Sequence, residues 1–195
     1  MLDHCARTID YIRISVTDRC NLRCIYCMPE SGVQWVPHNA VLSYEEILRL
    51  CRIFARLGMT KIKLTGGEPL VRRGMDHLIA DLKAIDGINC VTLTTNGLLL
   101  ADQIDDLVRC GLDGVNISLD TLDPVQFKEI TRRDSFDQVL KGLNAALSYP
   151  GLNVKLNCLP MGRNDDQLVP LAGLAKDTAL SVRFIEVMPI GLGRQ

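Results

Sequence analysis

With 195 residues, 47% of them hydrophobic, the chain has material for one well-filled core and reads as a single domain over 1–195. A formal net charge of -1 gives no general attraction to nucleic acid or to an anionic membrane. No run approaches the roughly 20 apolar residues of a membrane span, and the first residues are too polar for a secretory leader. The expectation is therefore a cytoplasmic protein whose eight cysteines are thiols or metal ligands rather than disulfides.

Residues 11–16 alternate apolar and polar side chains, which predicts a strand. That strand delivers the chain into residues 19–29, Arg-Cys-Asn-Leu-Arg-Cys-Ile-Tyr-Cys-Met-Pro, where Cys20, Cys24 and Cys27 fall within eight residues. The C-terminal end of a strand is where α/β sheets and barrels build their sites. Further on, Ser43 and Glu46 form a capping-box sequence ahead of Ile47, Leu50, Cys51 and Phe54 at helical spacing, and Gly58 ends that helix. A second strand over 61–65 then runs into Gly66-Gly67-Glu68-Pro69.

The same phrase recurs along the chain: a helix, a glycine near its end (Gly58, Gly87, Gly111, Gly151), and another strand. Helices are predicted over 43–57, 75–85, 101–109, 124–131, 135–148 and 165–176, and further strands over 90–94, 114–118, 153–158 and 181–187. Alternation of this kind implies parallel βαβ units with right-handed crossovers.

Strand parity selects the architecture. A parallel sheet covered on both faces is apolar on both parities, whereas here one parity carries Arg13, Ser15, Lys61, Lys63, Thr65, Thr92, Thr94, Asn96, Asn116, Ser118, Asp120, Lys155 and Asn157. The other carries Ile12, Ile14, Val16, Ile62, Leu64, Val91, Leu93, Val115, Ile117, Val154 and Leu156. The apolar parity packs on helices and the polar one lines a wet or ligand-filled interior, so the predicted fold class is α/β, a parallel (βα)6 partial TIM-type barrel. In the last strand Arg183 and Glu186 lie on opposite parities, and the inward face there stays open.

Three thiolates are one fewer than the four that hold an iron–sulfur cubane, which leaves one iron for a non-protein ligand. A zinc site is the alternative, with His4, His38 or a scattered cysteine as fourth ligand, although none lies at a short regular spacing. Arg13, Lys63 and Lys155, on three strands of the polar face, suit a polyphosphate guest. Pairing with local acids, or placement at strand edges, is the plainer account of the same cations. Gly66-Gly67-Glu68-Pro69 is a βα turn whose glycines allow close approach to a ligand, with backbone groups suited to an amino acid's ammonium. Thr94-Thr95-Asn96-Gly97 and Ser118-Leu119-Asp120 read as capping turns on the same rim. Cys51, Cys90, Cys110 and Cys158 read as core residues.

The Cys-x3-Cys-x2-Cys spacing, with Tyr26 before the last cysteine, resembles the radical S-adenosylmethionine superfamily. Over residues 13–29, 64–73, 94–99, 116–122, 153–157 and 183–191 the chain is similar to that superfamily's GTP 3',8-cyclase family, which serves molybdenum cofactor biosynthesis. The resemblance implies a [4Fe-4S] cluster on Cys20, Cys24 and Cys27, and S-adenosylmethionine contacts at Tyr26, Gly67, Ser118 and Met188. It implies GTP contacts at Arg13, Lys63, Thr94 and Lys155, and an electron donor as partner. Lys63 departs from the arginine usual in that family, giving a point charge in place of a planar fork. The family's C-terminal segment, with three cysteines for a second cluster, has no counterpart here, so the expectation is a truncated radical-enzyme domain. Another radical enzyme of different substrate and a non-catalytic metal-stabilised module are the rival readings; a homodimer stays open.

Overall fold

Strand β1 (Tyr11–Ser15) is the first of six parallel strands that follow one another in the sheet in chain order, β1 through β6. The computed structural model describes residues 4–188. Helix α1 (Tyr44–Arg56) leads to β2 (Lys61–Thr65), α2 (Met75–Lys83) to β3 (Cys90–Thr95) and α3 (Leu100–Arg109) to β4 (Gly114–Ser118). Then come α4 (Pro124–Thr131), α5 (Phe136–Leu147), β5 (Asn153–Cys158), α6 (Leu168–Gly173) and β6 (Ser181–Phe184). Short 3-10 turns occur at His38–Ala40, Pro69–Val71 and Asp165–Gln167.

Local chemistry starts and stops these helices. At α1 the capping box forms as the sequence predicts: Glu46 N–H donates to Ser43 Oγ at 3.2 Å and Ser43 N–H to Glu46 Oε2 at 2.7 Å. At α4 Gln126 N–H donates to Asp123 Oδ1 at 2.8 Å, and Pro124 sits in the first turn, where its missing N–H costs nothing. Gly58, Gly87 and Gly111 take the left-handed conformation after α1, α2 and α3. Gly151 breaks that rhythm. Among the described residues it has no positive φ, because α5 already ends at Leu147 and the chain turns through Ser148.

The apolar parity is the core. Ile62, Leu64, Val91, Leu93, Val115, Ile117, Val154 and Leu156 are all at most 2% exposed and join one cluster with Ile79, Leu82, Ile104, Leu107 and Val139 from the helices. Each such side chain contributes about 1.5–3 kcal/mol by leaving water. The polar parity faces the concave side and is more open, as at Lys63, Thr92, Thr94 and Lys155.

Two elements are shorter than their patterns suggest. Strand β6 ends at Phe184 rather than at 187, although Ile185 N–H still reaches the Cys158 carbonyl at 2.8 Å. The expected helix over 165–176 is α-helical only over Leu168–Gly173. Pro170 is tolerated only in a helix's first turn, and beyond Gly173 the chain tightens into three-residue turns, with Leu174, Ala175 and Lys176 bonding to Leu171, Ala172 and Gly173. The end of the sheet away from the cysteine loop is tied by Asp113, which accepts from Val91 N–H at 2.6 Å and pairs with Lys83 at 2.9 Å.

Candidate active site

The loop carrying the three cysteines leaves the C-terminal end of β1 and lies across the C-terminal ends of the neighbouring strands. Its approach is fixed by the turn after β2, where Gly67 N–H donates to Thr17 O at 2.7 Å and Glu68 N–H to Arg19 O at 2.7 Å. A Cβ on Gly66 would stand 2.4 Å from Thr17 O, and one on Gly67 2.3 Å from Arg19 O. These glycines permit a close approach to the chain's own backbone at Thr17 and Arg19. The Gly67 N–H is already engaged.

Glu68 is 1% exposed and spent internally. Its carboxylate accepts from Leu70 N–H, Thr95 Oγ1 and Asn96 N–H at 3.0, 2.7 and 2.7 Å. Burial raises its pKa, and those three bonds pull the other way. The brace reaches the cysteines, since Asn96 Nδ2 donates to Asn21 Oδ1 at 2.7 Å and lies 3.8 Å from Cys20 Sγ. On the other flank, Tyr26 and Ser118 line a small cavity of about 30 Å³ together with Cys24, Leu22, Asn96 and Asp120.

Cys20, Cys24 and Cys27 are free thiols, the first two partly buried and the third exposed. Burial pushes Cys20 and Cys27 above the ordinary thiol value and, with the nearby Asp120 charge, pushes Cys24 up to about 12. Cys24 feels the charges of both Cys20 and Cys27, so the three lie in one neighbourhood. Yet among the described residues no three His, Cys, Asp or Glu side chains converge as ligands of a single ion. Three thiols in one loop match a cubane that leaves one iron to a non-protein ligand. The donor set fits as well, for Cys20 Sγ already accepts from Leu22 N–H at 3.4 Å, a bond of the kind that supports a cluster thiolate.

The concave face holds the cations. Arg13 pairs in register with Lys63 across β1 and β2, and Arg183 with Asn157 across β5 and β6. Burial lowers the Lys63 pKa to about 8, helped by the charges of Arg13, Lys155 and Arg183. Arg183 stands in register with Asn157 of the polar parity, so it belongs to the inward face that the sequence left open. None of the four makes an ion pair with an acid among the described residues. Lys61, on the same parity, does pair, with Asp10 at 2.9 Å near the start of β2. Pairing with local acids thus explains Lys61 and not the other cations. Asn157 is 8% exposed and its Oδ1 has no partner.

Of the expected site residues, Cys24, Tyr26 and Ser118 come together, Thr94 lies opposite Asn116 on the concave face, and Gly67 sits behind the cysteine loop. Met188 is 69% exposed and lies beyond β6. Residues 189–191, the end of the last resembling stretch, lie outside the described residues. A larger cavity of about 650 Å³ lies on the other side of residues 17–19, against Tyr44, Arg72 and Arg73, and none of the expected site residues lines it. Sequence reasoning passed over Asp120 and Asn96 as ordinary turn residues. Their signal was only that each follows a strand on the rim. Cys51 and Cys158 are buried and Cys110 packs against the core, as expected, whereas Cys90 is half-buried opposite Lys61 on the polar parity, outside the core cluster.

The sequence matches the family described as the Radical SAM superfamily over residues 14–175. It is 50% identical to a GTP 3',8-cyclase of Petrotoga mobilis over 98% of this chain and 59% of that protein. To a GTP 3',8-cyclase of Heliobacterium modesticaldum it is 52% identical, over 99% of this chain and 59% of the relative. The chain thus spans about three fifths of the length of these curated relatives. Among solved structures it resembles methylornithine synthase (PylB), with TM-score 0.70 and 18% identity over 92% of this chain and 53% of that one. It also resembles Streptococcus suis SuiB bound to S-adenosylmethionine, with TM-score 0.69 and 19% identity over 90% of this chain and 40% of the other.

Proposed function

The chain belongs to the radical S-adenosylmethionine superfamily, and from that premise we propose that it carries the radical-generating and triphosphate-binding part of a GTP 3',8-cyclase. A [4Fe-4S] cluster and S-adenosylmethionine are the cofactors of this class. When bound, they supply a 5'-deoxyadenosyl radical that takes a hydrogen atom from substrate.

In this reading Cys20, Cys24 and Cys27 hold three irons of the cluster. Tyr26, Gly67, Ser118 and Met188 hold S-adenosylmethionine, Gly67 through its carbonyl because its N–H is bonded to Thr17. Arg13, Lys63, Lys155 and Arg183 neutralise a triphosphate, and Thr94 offers a hydroxyl beside it. The buried Asn157 Oδ1 suits a donor brought by the ligand, such as a sugar hydroxyl. The fixed sheet orients the substrate, and a filled concave face excludes water from the reacting carbon. One electron per turnover has to come from a donor. Eight cysteines read as thiols or metal ligands suit the reducing cytoplasm, and no helix among the described residues is long and apolar enough to cross a membrane.

The observation that carries this reading is the set of concave-face cations with no acid paired to them among the described residues, on the sheet whose first strand leads into the three-cysteine loop. The test is anaerobic reconstitution, followed by reductant, S-adenosylmethionine and GTP, with 5'-deoxyadenosine and the cyclised nucleotide measured separately. Formation of 5'-deoxyadenosine together with GTP binding that weakens in Lys155→Ala is expected. A chain that takes up no iron, or that binds GTP as well without its cations as with them, overturns the reading.

A further inference from the structure

The cysteine loop is held from below by an element with no part in the reading above, the C-terminal end of α4. Two carbonyls there accept backbone N–H groups of the loop: Thr131 O from Arg23 at 3.0 Å and Ile130 O from Ile25 at 2.9 Å. The next residue, Arg132, turns its guanidinium back onto the same loop, where Nη1 donates to Arg23 O at 2.9 Å and Met28 O at 3.1 Å. These carbonyls lie on either side of Cys24 and Cys27, so one planar group spans the segment carrying two of the three thiols. Arg132 does this from φ 57, and it and Ala6 are the non-glycine residues with positive φ among those described. An L side chain rarely adopts that conformation unless its surroundings hold it, and glycine is the usual occupant after a helix.

We infer that Arg132 is a positioning residue for the cluster, a clasp that fixes the loop so that Cys24 and Cys27 are arranged for iron before iron arrives. Three features make this more than an ordinary helix end. The guanidinium plane fixes the two N–H groups of Nη1 toward two carbonyls, where a lysine would offer a freely rotating point charge. Its cation lies where the negative end of the helix dipole meets a loop that would carry thiolates, and it offsets both. Arg23, one of the residues so held, in turn donates from Nη1 to Cys20 O at 2.8 Å and Leu22 O at 2.7 Å, extending the grip to the first cysteine.

This inference rests on the cluster reading of the cysteines, and the experiment separates the two. Arg132→Gly removes the clasp while keeping a residue at ease with left-handed backbone, and Arg132→Lys keeps the charge without the fixed plane. Each variant and the parent chain are reconstituted anaerobically with iron and sulfide, and the rate of iron loss to a chelator is followed alongside thermal unfolding of the iron-free chain. The reduced cluster's paramagnetic resonance spectrum is compared before and after adding S-adenosylmethionine. In Arg132→Gly, iron loss about tenfold faster is expected, with iron-free unfolding unchanged and a smaller spectral response to S-adenosylmethionine; Arg132→Lys should fall between it and the parent. Iron loss at the parent's rate in Arg132→Gly overturns the clasp, as does full restoration by lysine, which would leave only charge at work. An iron-free Arg132→Gly chain that unfolds earlier in proportion to its iron loss would assign Arg132 to α4 generally and overturn it too. A parent chain that binds no iron sinks the cluster reading itself.

Discussion

The Tyr26 hydroxyl donates to the Asp120 carboxylate at 2.8 Å across a sequence separation of 94, tying the middle of the cysteine loop to the end of β4. Asp120 is 6% exposed and also accepts from Leu159 N–H at 2.8 Å, so the loop, β4 and the chain after β5 meet on one carboxylate.

Tyr26→Phe should therefore cost stability out of proportion to one oxygen atom. It leaves a buried carboxylate with one donor fewer, and breaking a hydrogen bond to such a group costs about 1–3 kcal/mol. Chemical denaturation of the iron-free variant should show a loss of that order with an unchanged denaturant slope. A loss near zero would mean that the hydroxyl has water as a ready substitute.

Lys63 makes anion binding depend on pH. Its folded-state pKa of about 8 lies below the lysine model value of 10.5, with burial the main cause and Arg13, Lys155 and Arg183 adding to it. Between those values the unfolded chain binds more protons than the folded one, so this residue makes folding stability rise with pH across that window. Below about 8 its penalty is fully present. Triphosphate affinity should run the other way, weakening as pH climbs through 8 and the ammonium is lost. Titration calorimetry with GTP from below to above that pH measures it, and Lys63→Arg, charged throughout, should flatten the profile. An equally steep profile in that variant would place the titration elsewhere.

Two glycines should respond oppositely to alanine. In Gly67→Ala the new Cβ meets Arg19 O at 2.3 Å, a backbone atom that cannot step aside without moving the loop. Overpacking of this kind costs about 1–3 kcal/mol, and reconstituted iron content should fall with it. At Gly151 nothing stands within 4 Å of the added carbon and φ is not positive. Gly151→Ala should be neutral or stabilising by about 0.4–1 kcal/mol through the unfolded chain. Thermal melts of the pair decide the matter, and equal behaviour would contradict the close packing of the turn after β2.

Asn157 carries a buried acceptor with nothing to accept, and in the free chain that is an uncompensated cost. Asn157→Leu should accordingly leave stability within about 1 kcal/mol of the parent while weakening binding of the ligand that fills the concave face. Calorimetry with GTP and with S-adenosylmethionine, run separately, reports which of the two the amide serves. Unchanged affinity for both would show that the side chain has no ligand.

The strands were readable in the sequence because one parity is apolar and the other polar, so that residues such as Lys63 between Ile62 and Leu64 disclose their face by alternation. The cysteines were readable because they are adjacent in sequence. Arg183 was not, since β6 has only four residues and charges follow on both parities. Glu68 lies in a turn read for its glycines and backbone groups, and its carboxylate braces the turns after β2 and β3, a role set by partners at Thr95 and Asn96. Asp120 and Arg132 act on residues more than 90 positions away, and local pattern carries no record of such pairings.

Because each strand pairs with the one made just before it, the sheet can grow in step with synthesis, every new βα unit docking on a finished neighbour. The cysteine loop is made early and fastened late. Arg132 and the carbonyls of Ile130 and Thr131 emerge after β4 is complete, so until then the nascent loop is held only through its first residues, by the turns after β2 and β3. Iron delivered during translation would meet a floppy chelator, whereas iron delivered after the fourth helix has formed meets a shaped one.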